Sequence, residues 1–203
     1  MKNLILKHEK KIKNFYSKRL KYVGNKIQSV GWNSKTNQYL RFKILLKNIN
    51  LKNHTILDYG CGFSDLLLYL NKNKTYPISY TGYDIVKNFI SYNKKRFLSS
   101  KFYHSENFLY KNEYDYILCS GVFSLNSGLK KDYLKQKSLF LLNKCRKGLL
   151  INFLSKKTKN KLSKNLYYSI KEIKDIFINT KNIKIKINRS YGLEEFTIQI
   201  LKI

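Results

Sequence analysis

The sequence has no alanine, one proline, one methionine and one tryptophan. With nine glycines and one proline in 203 residues, collagen-like and proline-rich repeats are excluded. No run approaches the 18 or more uninterrupted apolar residues of a membrane span. The first residues form a lysine-punctuated helical pattern rather than a secretory leader. Cysteine is also scarce. Cys61, Cys119 and Cys145 are odd in number, lie in apolar stretches and lack metal-ligand spacing, which points to reduced thiols, a cytoplasmic setting and no metal site.

Acidic residues number 12 against 41 basic ones, for a formal charge of +29. Only five of the basic residues are arginine, the side chain suited to bidentate phosphate and guanine contacts. Lys, Asn, Ile, Tyr and Phe share codons made largely of A and T, whereas Ala, Pro, Gly and most Arg codons need G or C. The excess of lysine is therefore read as the imprint of an AT-rich genome. A field this positive still attracts polyanions at low salt, so nucleic acid stays open as a partner without being favoured.

An apolar content of 43% supports one core, and the length fits one domain. Residues 1–22 carry Ile5, His8, Ile12, Phe15 and Leu20 on one helical stripe, 23–36 read as a loop, and 37–49 as a second helix. From there strands are expected at 54–59, 78–84, 101–104, 114–119, 148–153, 182–188 and 195–202. Helices are expected at 63–72, 86–97, 129–146 and 168–178, and a mobile loop at 156–165. Strands alternating with helices imply an α/β doubly wound sheet, and the two final strands add an antiparallel hairpin. Residues 1–50 are expected to form a helical cap belonging to the same domain as the core at 51–203.

The stretch Thr55-Ile56-Leu57-Asp58-Tyr59-Gly60-Cys61-Gly62-Phe63-Ser64-Asp65 reads as strand, glycine turn and helix start. Glycines there let the backbone approach a ligand, and the helix start offers free N–H groups. Asp58 closes the strand, where a carboxylate suits an ammonium group. The third glycine of a dinucleotide fingerprint would fall at 65, which is Asp65, and that carboxylate disfavours a pyrophosphate. Asp84 ends the next strand, 22 residues after Gly62, where it can take both ribose hydroxyls. Ribose, no phosphate and a positive methionine-like arm describe S-adenosylmethionine.

Residues 56–65 resemble motif I of the class I S-adenosylmethionine-dependent methyltransferases, and Tyr80-Thr81-Gly82-Tyr83-Asp84-Ile85 resembles their ribose-binding strand end. The similarity extends to a small bacterial subgroup of unestablished substrate. It runs through Gly31-Trp32-Asn33-Ser34 with Gln38 and Arg41-Phe42, through residues 115–123, through 147–155 and through Glu195-Phe196-Thr197. The resemblance implies a Rossmann-like seven-stranded sheet in the order 3-2-1-4-5-7-6 with strand 7 antiparallel. It implies that Gly60, Cys61 and Gly62 approach the methionine arm, that Asp58 holds its amino group and that Arg41 meets its carboxylate. It also places Asp84 on ribose, Ile85 on adenine, Asn107 at the adenine amino group with Phe108 beside it, and Ser120 at the cofactor.

Methyl transfer is an in-line displacement that needs alignment and exclusion of water more than an enzyme nucleophile. The acceptor is expected beyond the carboxyl ends of the fourth and fifth strands, near Ser120, Phe123, Asn152 and Ser155, with Tyr191 and Glu194 in reach. Members of the subgroup carry His-Asp before that tyrosine. Here the pair is Arg189-Ser190, so no general base is assigned; His104 is read as a solvated strand-end histidine. The segment Ser120-Gly121-Val122-Phe123 lacks the Asn/Asp-Pro-Pro-aromatic pattern of amino-group methyltransferases acting on adenine or glutamine. The leading expectation is a methyltransferase acting on a small-molecule or sugar-containing acceptor. The alternatives are an RNA methyltransferase that captures substrate with its basic surface, and a non-catalytic cofactor-binding scaffold. Acceptor atom and oligomeric state are not legible in the sequence.

Overall fold

A computed structural model describes residues 2–128, 131–189 and 192–203, with side chains from residue 5 onward. In chain order the elements are α1 (Lys2–Val23), α2 (Lys35–Leu45), β1 (Thr55–Tyr59), α3 (Asp65–Lys72), β2 (Ser79–Tyr83), α4 (Lys87–Arg96) and β3 (Lys101–Tyr103). They continue with α5 (Asn107–Tyr110), β4 (Tyr114–Cys119), α6 (Lys131–Asn143), β5 (Cys145–Leu154), α7 (Ile170–Ile176), β6 (Ile183–Asn188) and β7 (Glu195–Lys202). A short 3-10 turn, Ile27–Val30, links α1 to α2.

The described strands form one sheet in the order β3-β2-β1-β4-β5-β7-β6. The first five pair in parallel, and β7 runs antiparallel to both β5 and β6. Central strands are apolar on both sides because helices cover both faces. Successive residues point to opposite faces, so Leu57, Ile117 and Leu149 pack with Tyr133, Leu134, Leu141 and Ile173. Their neighbours Ile56, Leu118 and Leu150 pack with Phe42, Leu45, Leu66 and Leu70. No helix among the described residues is long and apolar enough to cross a membrane.

The register brings the functional strand ends to one level. Asp58 lies opposite Gly82 and Leu118, Cys119 lies opposite Ile151, and Asn152 lies opposite Thr197. The carboxyl ends of β1, β2, β4 and β5 thus open on one crevice, the usual ligand position in an open α/β sheet.

Several elements differ from the sequence expectation: α2 runs from Lys35 to Leu45 rather than over 37–49, and the segment 23–36 expected as a loop holds the 3-10 turn Ile27–Val30. The helix expected at 129–146 is α6, ending at Asn143, and β5 begins at Cys145 rather than 148. Cys145 pairs with Tyr114, and the shift in register between Tyr114 and Tyr116 accommodates Arg146 and Lys147. The four-residue α5 was not expected, being too short for a periodic signal. The loop 156–165, expected to be mobile, makes several hydrogen bonds to its neighbours. Lys159 N donates to the Glu194 carboxylate, Asn126 N donates to Lys164 O, and Leu125 bridges Asn165.

Candidate active site

Four buried residues of β1, Ile56 to Tyr59, deliver the chain to Gly60 and Gly62, whose φ values of +79° and +50° lie in the left-handed region. A Cβ built on Gly60 would come 2.7 Å from Val122 Cγ2, and one on Gly62 would come 2.7 Å from Val30 Cγ1. Glycine is therefore needed twice over, for backbone conformation and for the close approach of two neighbouring loops. Tyr83 O accepts from both Gly60 N and Cys61 N at 2.7 and 2.8 Å, and Asn93 Nδ2 donates to Gly62 O at 2.7 Å. These bonds within the chain fix the backbone of the turn.

Asp58 and Asp84 stand on either side of this turn, both buried. Tyr80 donates its hydroxyl to Asp58 Oδ2 at 2.6 Å. Asp84 accepts from Gly62 N and Val86 N, each at 2.9 Å. Burial pushes the Asp58 carboxyl up to about 7 against the Tyr80 hydrogen bond, with Asp84 and Asp65 adding to the rise. Burial likewise raises Asp84 to about 6, opposed by its two amide donors. Among the described residues neither forms an ion pair, so the site holds two desolvated carboxyl groups facing a cavity. Asp65 is different: it binds Lys35 and accepts from Gln38 Nε2 at 2.9 Å, which ties the start of α2 to the start of α3.

The cavity measures about 320 Å³, within the ~300–1,000 Å³ range of small-ligand clefts. Its walls include Arg41, Asp58, Gly60, Cys61, Gly62, Asp84, Ile85, Ser120 and Asn152, so most of the residues singled out in the sequence converge. Asn152 Oδ1 accepts from Gly121 N at 2.8 Å and its Nδ2 reaches Ser120 Oγ at 3.4 Å, which fixes the loop after β4. Arg41 is buried, ion-paired with Glu195 and stacked on Trp32 with its guanidinium carbon 3.8 Å from the ring centroid. Cys61 is buried in the turn and its thiol is pushed up by burial, Asp58 and Asp84, which leaves it protonated and inert.

Several expected residues are not on the cavity wall. Asn107 begins α5 and points to solvent; Phe108 lies flat on Tyr103 with ring centroids 4.3 Å apart. The turn of α5 thus leaves Asn107 exposed and packs the partly buried Phe108 against the core rather than the cavity. Phe123 sits beneath the cavity, stacked 6.2 Å from Phe153, because Val122 rather than Phe123 faces the glycine turn. Ser155, Glu194 and the exposed His104 are also outside the wall, and Tyr191 lies outside the described residues.

The sequence reading expects a helical cap over residues 1–50 but names no side chain of α1 at the cavity. Glu9, Ile12, Phe15, Tyr16 and Arg19 of α1, with Trp32, close the cavity from above, and Leu162, Lys164 and Asn165 form its rim. Burial and the nearby Asp84 raise the Tyr16 hydroxyl to about 12. The helical stripe of α1 carried the signal for burial, but nothing in its spacing says which surface it covers.

The residues fit S-adenosylmethionine. A glycine cradle that a Cβ would fill, a buried carboxylate for an ammonium and a second for a diol are the donor set that this molecule needs. The fold and cleft define a class I S-adenosylmethionine-dependent methyltransferase. Residues 50–189 match the family of methyltransferase domains, and the chain belongs to that family. No curated protein matches the sequence.

Among solved structures, the magnesium protoporphyrin IX methyltransferase of Synechocystis PCC 6803 with bound S-adenosylmethionine is similar at a TM-score of 0.69 and 13% identity. The match covers 97% of each chain. An S-adenosylmethionine-dependent methyltransferase from Clostridium acetobutylicum ATCC 824 matches at a TM-score of 0.63 and 13% identity, over 92% of this chain and 98% of that one. A chain of the Pnkp1/Rnl/Hen1 RNA repair complex matches at a TM-score of 0.64 and 14% identity, over 83% of this chain and 42% of that one. At these identities the likeness concerns the fold alone. With the family match, it makes the protein an S-adenosylmethionine-dependent methyltransferase.

Proposed function

We propose that the enzyme methylates a small-molecule or sugar-containing acceptor held under α1. The observation that carries this reading is the roof: Ile12, Phe15 and Tyr16 cover a cavity of about 320 Å³, which favours an acceptor that can be enclosed. When bound, S-adenosylmethionine supplies an electrophilic methyl group on a sulfonium and departs as a neutral thioether.

The chain's own residues would do the positioning. Asp58 meets the ammonium, Asp84 the ribose diol and Ile85 the adenine face, while Arg41 divides its guanidinium between Glu195 and the cofactor carboxylate. Asn152 holds the Ser120–Gly121 backbone at the point where the acceptor would enter. Phe15, Tyr16 and Leu162 exclude water from the line of transfer, which leaves alignment as the main source of rate.

A second reading, methylation of RNA, has two observations in its favour. The rim segment 156–165 carries five lysines and faces a helix rich in lysine, and one structural neighbour comes from an RNA repair complex. The two readings differ in salt dependence.

Calorimetry with S-adenosylhomocysteine at low and high salt tests the cofactor site. Binding is expected to be nearly salt-independent and to weaken at least tenfold in Asp84→Ala, because hydrogen bonds to a charged group contribute about 1.5–3 kcal/mol each. Unchanged affinity in that variant would remove Asp84 from the site. A short RNA that bound with a steep salt slope and competed with small acceptors would favour the second reading.

A further inference from the structure

A buried ammonium outside the cofactor-contact set joins the roof to the glycine turn. Lys137 of α6 is buried, its side chain 10% exposed. Its Nζ donates to Glu9 Oε1 on α1 at 3.2 Å and to both oxygens of Glu106 at 2.8 and 2.7 Å. Glu106 in turn accepts from the hydroxyl of Tyr59, the residue between Asp58 and Gly60. The Tyr59 ring packs on Tyr83, 4.8 Å between centroids, immediately before Asp84. Little more than two turns of α1 divide this work. His8 packs on Tyr133 at 4.2 Å and bonds Ser127, Glu9 reaches Lys137, and Ile12 and Tyr16 roof the cavity.

We propose that Lys137 is a positioning residue that couples docking of α1 to the geometry of the cofactor turn. Glu9 and Glu106 approach one ammonium from different elements. Without that cation, two carboxylates would share a poorly solvated space, and their repulsion would lift α1 while freeing Glu106 from its fixed orientation under Tyr59. With the cation in place, seating α1 completes a cluster of four elements, α1, α6, the start of α5 and β1, whose far end is the strand carrying Asp58. Coupling of this kind is reciprocal, so a ligand that steadies the turn also steadies the helix. The inference concerns cofactor binding and holds whichever acceptor the enzyme uses.

The test combines S-adenosylhomocysteine titration with amide hydrogen exchange of residues 5–23 in the full chain. In the wild type, ligand is expected to slow exchange in α1. Lys137→Met is expected to weaken ligand binding about fivefold or more and to abolish the ligand-dependent protection of α1, whereas Lys137→Arg retains both. The discriminating variant is the double one, Lys137→Met with Glu9→Gln. If repulsion between carboxylates is the cause, the second substitution recovers most of the affinity lost in the first, which a purely structural role for Lys137 would not predict. Wild-type affinity and protection in Lys137→Met, or a double variant no better than the single one, would overturn the proposal. Should Lys137→Met fail to fold, Glu9→Gln alone decides: reduced ligand-dependent protection of α1 supports the coupling and unchanged protection overturns it.

Discussion

Asp58 and Asp84 are buried and, among the described residues, ion-paired with no cation, which sets how they titrate. An ordinary aspartate titrates near 3.8, whereas Asp58 is raised to about 7 and Asp84 to about 6. Between those limits the folded chain holds protons that the unfolded chain has released, so these two groups make stability fall as pH rises from about 4 to about 7. An ammonium placed at Asp58 reverses the balance by favouring the ionised form. The thermal stabilisation given by S-adenosylhomocysteine is therefore expected to grow from pH 5 to pH 8, and Asp58→Asn to flatten that slope. A stabilisation equal at both ends would separate Asp58 from the ammonium. At Gly60, alanine would have to adopt φ near +79° and displace Val122. Gly60→Ala is expected to destabilise by about 1–3 kcal/mol in a denaturant titration, and Val122→Ala in the same chain to recover only the steric part. That these residues meet at one cavity was legible, because glycine and acid at fixed distances after a strand have few other uses; their roles toward a cofactor are proposals. The placing of Asn107 and Phe108 off its wall was not legible, because a one-turn helix decides which way a side chain faces and a turn that short leaves no periodicity.

Individual elements show a similar division between what pattern reveals and what packing decides. Strand β4 matches its expected span because an apolar run bounded by polar turns has one consistent reading. The junction of α6 and β5 was misplaced because Lys144, Arg146 and Lys147 suit an exposed helix end as well as a strand edge, and only pairing with Tyr114 settles it. Helix α7 shows how an element with a modest sequence signal is held by its cap. Ser169 Oγ accepts from Glu172 N at 3.1 Å and Glu172 accepts from Ser169 N at 2.9 Å, a reciprocal capping box. Glu172 also receives Lys156 Nζ at 2.6 Å, which fastens the rim loop. Ser169→Ala is expected to lower stability by about 1 kcal/mol and to speed amide exchange in residues 156–165, measured on the same sample. Exchange confined to α7 would mean that the rim is held by its other bonds alone.

At the scale of the whole molecule, the first 50 residues and the core are proposed to unfold as one unit. Gln199 Nε2 of β7 donates to Leu45 O and Lys47 O, each at 3.0 Å, and Phe42 and Leu45 lie in the same apolar cluster as Ile56 and Leu150. A single calorimetric transition is expected, and Gln199→Ala should shift it down by leaving two carbonyls without their donor. A separate early transition in the wild type would mean that the cap melts independently. The order of the strands carries a further consequence for a chain made from its amino terminus. β6 is synthesised before β7 yet has no neighbour until β7 inserts between it and β5. That same strand brings Glu195 to Arg41 and sets Thr197 opposite Asn152. Two lining residues, Arg41 and Asn152, thus take a neighbour from a strand made after β6, and a nascent chain short of residue 195 lacks the Glu195 carboxylate with which Arg41 pairs.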